Sequence, residues 1–134
     1  MSRRIIVHSL AQASAAVDEA AALAVPVTLL SAPGAGAYAG PGWFKSIVDQ
    51  AAARHPEIDL TAVIDCGAAP GMVLAALRGG FKHVRYTGAD APLHRLHAIA
   101  AAHDAIIETE PCDALDLRSR RDAARLCRDY LAAP

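Results

Sequence analysis

Apolar residues fall into short runs that alternate with longer stretches in which they recur every three or four positions. The first pattern reads as strand and the second as amphipathic helix. Arg4 to His8 is β-branched and predicts a first strand. Leu10, Ala13, Val17, Ala20 and Ala24 share one face of a helix over 10–24, with Asp18 and Glu19 on the far side. Pro26 ends that helix, Val27–Leu30 predicts the second strand, and Ser31 to Gly42 a Gly- and Pro-rich loop. Trp43 to His55 is the next helix, with Pro41 near its first turn, where a missing N–H costs little. Leu60-Thr61-Ala62-Val63-Ile64 lacks alternation and reads as a central strand buried on both faces. Cys66 to Gly71 is a turn, and Met72 to Arg78 a helix stopped by Gly79-Gly80. His83 to Thr87 alternates more, as a strand nearer an edge does. Pro92 to His103 predicts a helix, Ala105 to Glu108 the fifth strand, and Leu115 to Ala132 the last helix.

Five strand–helix units with short connections predict a parallel sheet with right-handed crossovers, in one α/β domain over 1–134. Five strands suit a three-layer, flavodoxin-like sheet in the order 2-1-3-4-5. The alternative is a partial β/α barrel that closes by pairing with another copy. Composition adds to this picture: 54% of residues are hydrophobic but only 4% aromatic, so the core is built from Ala, Val, Leu and Ile. Ala-rich helix faces offer little apolar area each, and burial against a second subunit would add stability; a homo-oligomer is expected.

A net charge of -1 gives no global field for nucleic acid or an anionic membrane. So few aromatics leave no stacking platform for single strands. No apolar run approaches the roughly 18 residues of a spanning helix. Met1 to Val7 has the look of a signal-peptide start, yet the apolar run breaks at His8-Ser9 and turns amphipathic, so it reads as a strand. Cys66, Cys112 and Cys127 are odd in number and far apart, which is neither a disulfide framework nor a zinc signature. A reducing cytoplasm is the expected location.

In open parallel sheets, ligands bind beyond the carboxyl ends of strands, where the winding reverses. The order 2-1-3-4-5 places that crevice between strands one and three. His8-Ser9 and Asp65 to Gly71 form its rim, and the loop after strand two could fold over it. Gly34 and Gly36 open a G-x-G-x-x-x-G run, one residue off the dinucleotide fingerprint and after the second strand, so it reads as a phosphate contact or as a mobile loop. Asp65 is a ligand-hydroxyl acceptor or base, or else an acceptor for its own turn. Cys66 is a reactive thiol or a small buried one. His8 and Ser9 are strand neighbours pointing to opposite faces, which favours separate binding roles over a catalytic pair. His94 and His97, three apart near Asp90, have no clear third ligand, and no metal site is assigned. Arg118, Arg121, Arg125 and Arg128, interleaved with Asp122 and Asp129, read as a solvated, paired helix face.

Two local resemblances carry further expectations. Val63-Ile64-Asp65-Cys66-Gly67-Ala68-Ala69-Pro70-Gly71 resembles the first motif of Rossmann-like RNA methyltransferases, which implies S-adenosylmethionine binding with Asp90 near the ribose. Asp65, Thr87 and Pro111 at strand ends resemble a response-regulator receiver domain. His8-Ser9 stands where that family has acids, and Glu110 where it has Lys, so the resemblance implies a degenerate, non-phosphorylated regulatory subunit. The leading expectation is a domain binding an anionic or phosphorylated small molecule through His8, Ser9, Gly34, Gly36, Asp65, Cys66, Gly67, Gly71 and Thr87. No motif commits the chain to a reaction or a cofactor.

Overall fold

The apolar runs form strands β1 (Arg3–Ile6), β2 (Val27–Leu30), β3 (Leu60–Asp65), β4 (His83–Arg85) and β5 (Ile106–Glu108), followed by a two-residue strand β6 (Leu115–Asp116). The helices are α1 (Leu10–Leu23), α2 (Ala35–Tyr38), α3 (Pro41–Arg54), α4 (Pro70–Arg78), α5 (Leu93–Ala102) and α6 (Ala123–Ala132). These elements come from a computed structural model that describes residues 2–134; Met1, at the head of the signal-like run, lies outside the described residues.

The sheet is parallel in the order β5-β4-β3-β2-β1-β6. The α/β class is as expected; the order 2-1-3-4-5 is not what forms. β1 pairs with β2 on one edge, from Arg3 with Val27 to Ile6 with Leu30, and with β6 on the other, through Ile5 with Leu115. Neither edge of β1 is left for β3, so the crevice expected between strands one and three does not exist. The error lies in the expected last helix. Leu115-Asp116-Leu117-Arg118 alternates apolar and polar residues, a strand pattern, and helix starts only after Asp122. β1 to β5 instead follow one another in sequence across the sheet, the order expected of the alternative, a partial β/α barrel.

Packing divides the chain into two compact units. One takes residues up to Leu30, Ser46–Thr61 and Cys112 onward; the other takes Ser31–Lys45 and Ala62–Pro111.

In the first unit, Ser9 caps α1 by accepting the Gln12 N–H at 3.2 Å. The helix ends on Ala24 in the left-handed region (φ 54°), whose N–H returns to the carbonyls of Ala20 and Ala21. α1 buries Ala13, Ala16, Val17 and Ala20, and α6 buries Cys127 and Leu131. Small side chains let these two helices pack closely, and Arg128 Nε donates to Glu19 across them at 2.7 Å. Ile5, Val7, Val27, Leu29 and Leu117 are fully buried, each contributing about 1.5–3 kcal/mol of apolar burial.

In the second unit, strand register sets Ile64, Val84 and Ile107 on one face and Asp65, Arg85 and Glu108 on the other. α4 opens on Pro70, stops at Gly79-Gly80 (Gly80 φ 94°), and packs against β4 and α5. It buries Val73, Ala76 and Leu77, while α5 buries Leu96 and Ala100. Phe44 stacks on Phe81 with centroids 6.0 Å apart. The expected loop over 31–42 is not wholly irregular, since α2 forms inside it.

Candidate functional site

Asp65 ends β3 and is only 7% exposed. Its Oδ1 accepts the N–H of Gly67 at 2.8 Å and of Gly34 at 3.0 Å, and its own N–H donates to Ser31 Oγ at 2.8 Å. One carboxylate oxygen thus ties the strand end both to its own turn and to the segment that leads into α2. Its Oδ2 lies 3.6 Å from Arg85 Nε, and Arg85 Nη1 lies 3.5 Å from Glu108 Oε1. His83 Nδ1 is 3.9 Å from Glu108 Oε2. A charged row therefore runs across β3, β4 and β5, buried at Asp65 and Arg85 and half-buried at Glu108, with the guanidinium between two carboxylates.

Glycine makes this approach possible. Gly67 has φ 57°, and a Cβ there would stand 3.3 Å from Gly34 Cα. A Cβ on Gly36 would stand 2.9 Å from Cys66 Sγ and 3.2 Å from the Asp65 carbonyl oxygen. The structure thus brings Gly34, Gly36, Asp65, Cys66 and Gly67 together. The Gly34 and Gly67 amides, which a phosphate would need, already face an internal carboxylate. Cys66 is fully buried. Burial, and secondarily the Asp65 charge, push its thiol up to about 12, so it stays protonated and unreactive at neutral pH.

Thr87 donates its N–H to Gly67 O at 2.8 Å and lines a cleft of about 310 Å³ at the carboxyl ends of β4 and β5. Gly88, Asp90, Leu93, Thr109 and Glu110 share the lining, which is mostly polar. The cleft wall is set by Tyr86, whose buried ring sends its hydroxyl to Ala89 O at 2.8 Å. A Cβ on Gly88 would lie 2.5 Å from that hydroxyl, so only glycine lets the loop fold over the ring. Among the described residues, neither Asp90 nor Glu110 has an ion-pair partner.

Gly71 stands apart: it is exposed in the first turn of α4, with no atom within 4 Å of a Cβ built there. His94 and His97 are exposed, and no group of three His, Cys, Asp or Glu among the described residues could hold a metal ion. In the first unit, Ser9 is engaged in capping, while His8 Nε2 meets Asp116 Oδ1 at 2.6 Å. Burial acts to raise the Asp116 carboxyl, but the hydrogen bonds from His8 and the Arg118 N–H outweigh it and hold it below its ordinary value.

Sequence reasoning missed Asp116, Thr109 and Glu110 as site residues. Asp116 was absorbed into the expected last helix, although Leu115 and Leu117 alternate around it. Thr109-Glu110 directly follows the fifth strand, where the strand-end rule that selected Thr87 applies equally.

No family model matches this chain. It is 33% identical over 82 residues to a fructose-bisphosphate aldolase of Xanthobacter flavus, covering 61% of this chain and 23% of that protein. It is 34% identical over 82 residues to the plasmid fructose-bisphosphate aldolase of Cupriavidus necator, covering 61% of this chain and 24% of that one. The chain thus spans about a quarter of the length of either relative. A crystal structure of a candidate fructose-1,6-biphosphate aldolase from Coccidioides immitis shares the fold at a TM-score of 0.63 and 20% identity, over 82% of this chain and 41% of that one.

Proposed function

We propose that this domain binds a phosphorylated sugar at the carboxyl ends of its strands, with the sugar seated in the cleft beside β4 and β5. The observation that carries the reading is the 82-residue likeness to two proteins named for fructose bisphosphate. The cleft supplies suitable chemistry. Thr87 and Thr109 donate and accept, while Asp90 and Glu110 accept from sugar hydroxyls. The two carboxylates repel a phosphate inside the cleft, so the phosphate lies at its mouth, beside the first turn of α5, where His94 and Arg95 are exposed. Asp65, Gly34 and Gly67 build the scaffold beside the cleft, the carboxylate holding the two glycine amides, with Gly36 packed against Cys66. Fold likeness alone would leave the reaction open, and the proposal is of binding.

The test is a thermal-shift and ligand-observed NMR titration with fructose 1,6-bisphosphate, fructose and inorganic phosphate in parallel. A ligand at a hundred times its dissociation constant adds about 2.7 kcal/mol to stability. The bisphosphate is expected to raise the midpoint most, and Thr87→Val with Thr109→Val, which removes two hydroxyl partners and leaves the cleft's charge unchanged, to weaken that rise. No response to the bisphosphate, or an equal response to inorganic phosphate alone, overturns the reading.

A further inference from the structure

We propose that His8 and Asp116 form a proton-transfer dyad, a catalytic site distinct from sugar binding and independent of it, in which His8 Nδ1 acts as general base on a water attacking a carboxylic ester. The pair is not a chance surface contact held by charge alone. Asp116 is 46% exposed at its side chain, and an ion pair of that kind contributes only about 0–1 kcal/mol. Its orientation is fixed instead by a network. The Arg118 N–H donates to the same Asp116 Oδ1 at 2.9 Å. The His8 N–H donates to Gln12 Oε1 at 2.7 Å, and Gln12 Nε2 donates to Leu117 O at 2.8 Å, bracing the end of β1 against the residue after β6. Ser9 Oγ caps the Gln12 N–H, which sets the helix turn that carries the brace.

The consequence is a defined tautomer. A carboxylate at 2.6 Å from Nε2 requires a proton there, so neutral His8 keeps its lone pair on Nδ1. No protein group among the described residues meets Nδ1, and the side chain is 23% exposed. An imidazole with one nitrogen held by a carboxylate and the other free is the arrangement a general base needs. It sits at the carboxyl ends of β1 and β6, the side of a parallel sheet where ligands and reacting groups collect. In the proposed step, Nδ1 takes a proton from water as the water oxygen bonds to the ester carbonyl carbon. The bond from that carbon to the alkoxy oxygen then breaks, and the leaving oxygen receives the proton back from Nδ1. Asp116 stabilises the transient imidazolium. No other reactant is required.

The test uses p-nitrophenyl acetate with the full chain, reading p-nitrophenolate release above buffer. Variants are His8→Gln, Asp116→Asn and, as an exposed imidazole control, His97→Gln. His8→Gln is expected to abolish the excess rate. Asp116→Asn, which keeps an oxygen acceptor but loses the charge, is expected to lower it on the order of tenfold, within the span of acid–base contributions. His97→Gln is expected to leave the rate unchanged, and the wild-type rate to slow in heavy water. Urea midpoints for each variant separate lost catalysis from lost folding. A rate equal to buffer in the folded wild type, an undiminished rate in folded His8→Gln, or an equal loss in His97→Gln overturns the proposal.

Discussion

Replacing Asp65 with alanine should destabilise the protein by about 3 kcal/mol. The side chain accepts two amide hydrogen bonds, from Gly67 at 2.8 Å and Gly34 at 3.0 Å, and faces Arg85 at 3.6 Å. Hydrogen bonds to a charged group contribute about 1.5–3 kcal/mol each. The glycine amides are partly accessible, so water replaces some of what is lost, which places the sum near the lower end. The Arg85 guanidinium would also lose one of its two carboxylate neighbours while remaining buried, a cost that adds in the same direction. Asp65→Asn retains an oxygen acceptor and should cost about 1 kcal/mol. Urea unfolding read by circular dichroism gives both values, provided the slope with denaturant is unchanged. For a chain of this size, 3 kcal/mol corresponds to a melting shift of about 10 °C. If Asp65→Ala unfolds within about 0.5 kcal/mol of wild type, the carboxylate is not the clamp its geometry describes, and the case for a ligand-directed Asp65 is restored.

Two further outcomes follow from the same structure. Gly36→Ala places a methyl 2.9 Å from Cys66 Sγ and 3.2 Å from a backbone oxygen, and should cost about 1–3 kcal/mol by overpacking; an unchanged urea midpoint would mean the segment around α2 yields freely. Stability should also fall in acid. The Asp18 carboxyl is held below its ordinary 3.8 chiefly by the Arg54 hydrogen bond, against burial and with help from His55, and Asp116 is lowered as well. Because both folded carboxyls release protons more readily than the unfolded ones, their contribution is complete above about pH 5. It is lost as pH falls below 3.8 through the folded values. The effect is modest for side chains more than a third exposed, and a denaturation midpoint that rises between pH 4 and about pH 3 would contradict it.

The sequence determined most of the local structure. Apolar period marked β1 to β5 and four of the helices within a residue or two, because burying one stripe or one run dictates which residues must be apolar. Pro26, Pro41 and Gly79-Gly80 punctuated the helices for backbone reasons visible in a single residue. Strand ends also marked Asp65 and Thr87 as residues at the carboxyl side of the sheet. The tertiary structure alone decided which strands are neighbours. Strand order depends on pairings between residues as distant as Ile5 and Leu115, and the four-residue alternation from Leu115 to Arg118 is short enough to be absorbed into the helix after it. That one pairing removed the expected crevice and created the His8–Asp116 pair from residues 108 apart. The role of Asp65 was likewise decided in three dimensions. Its spacing to Gly67 is local, but the bond to Gly34 depends on a segment folding back to the end of β3, which no period in the chain encodes.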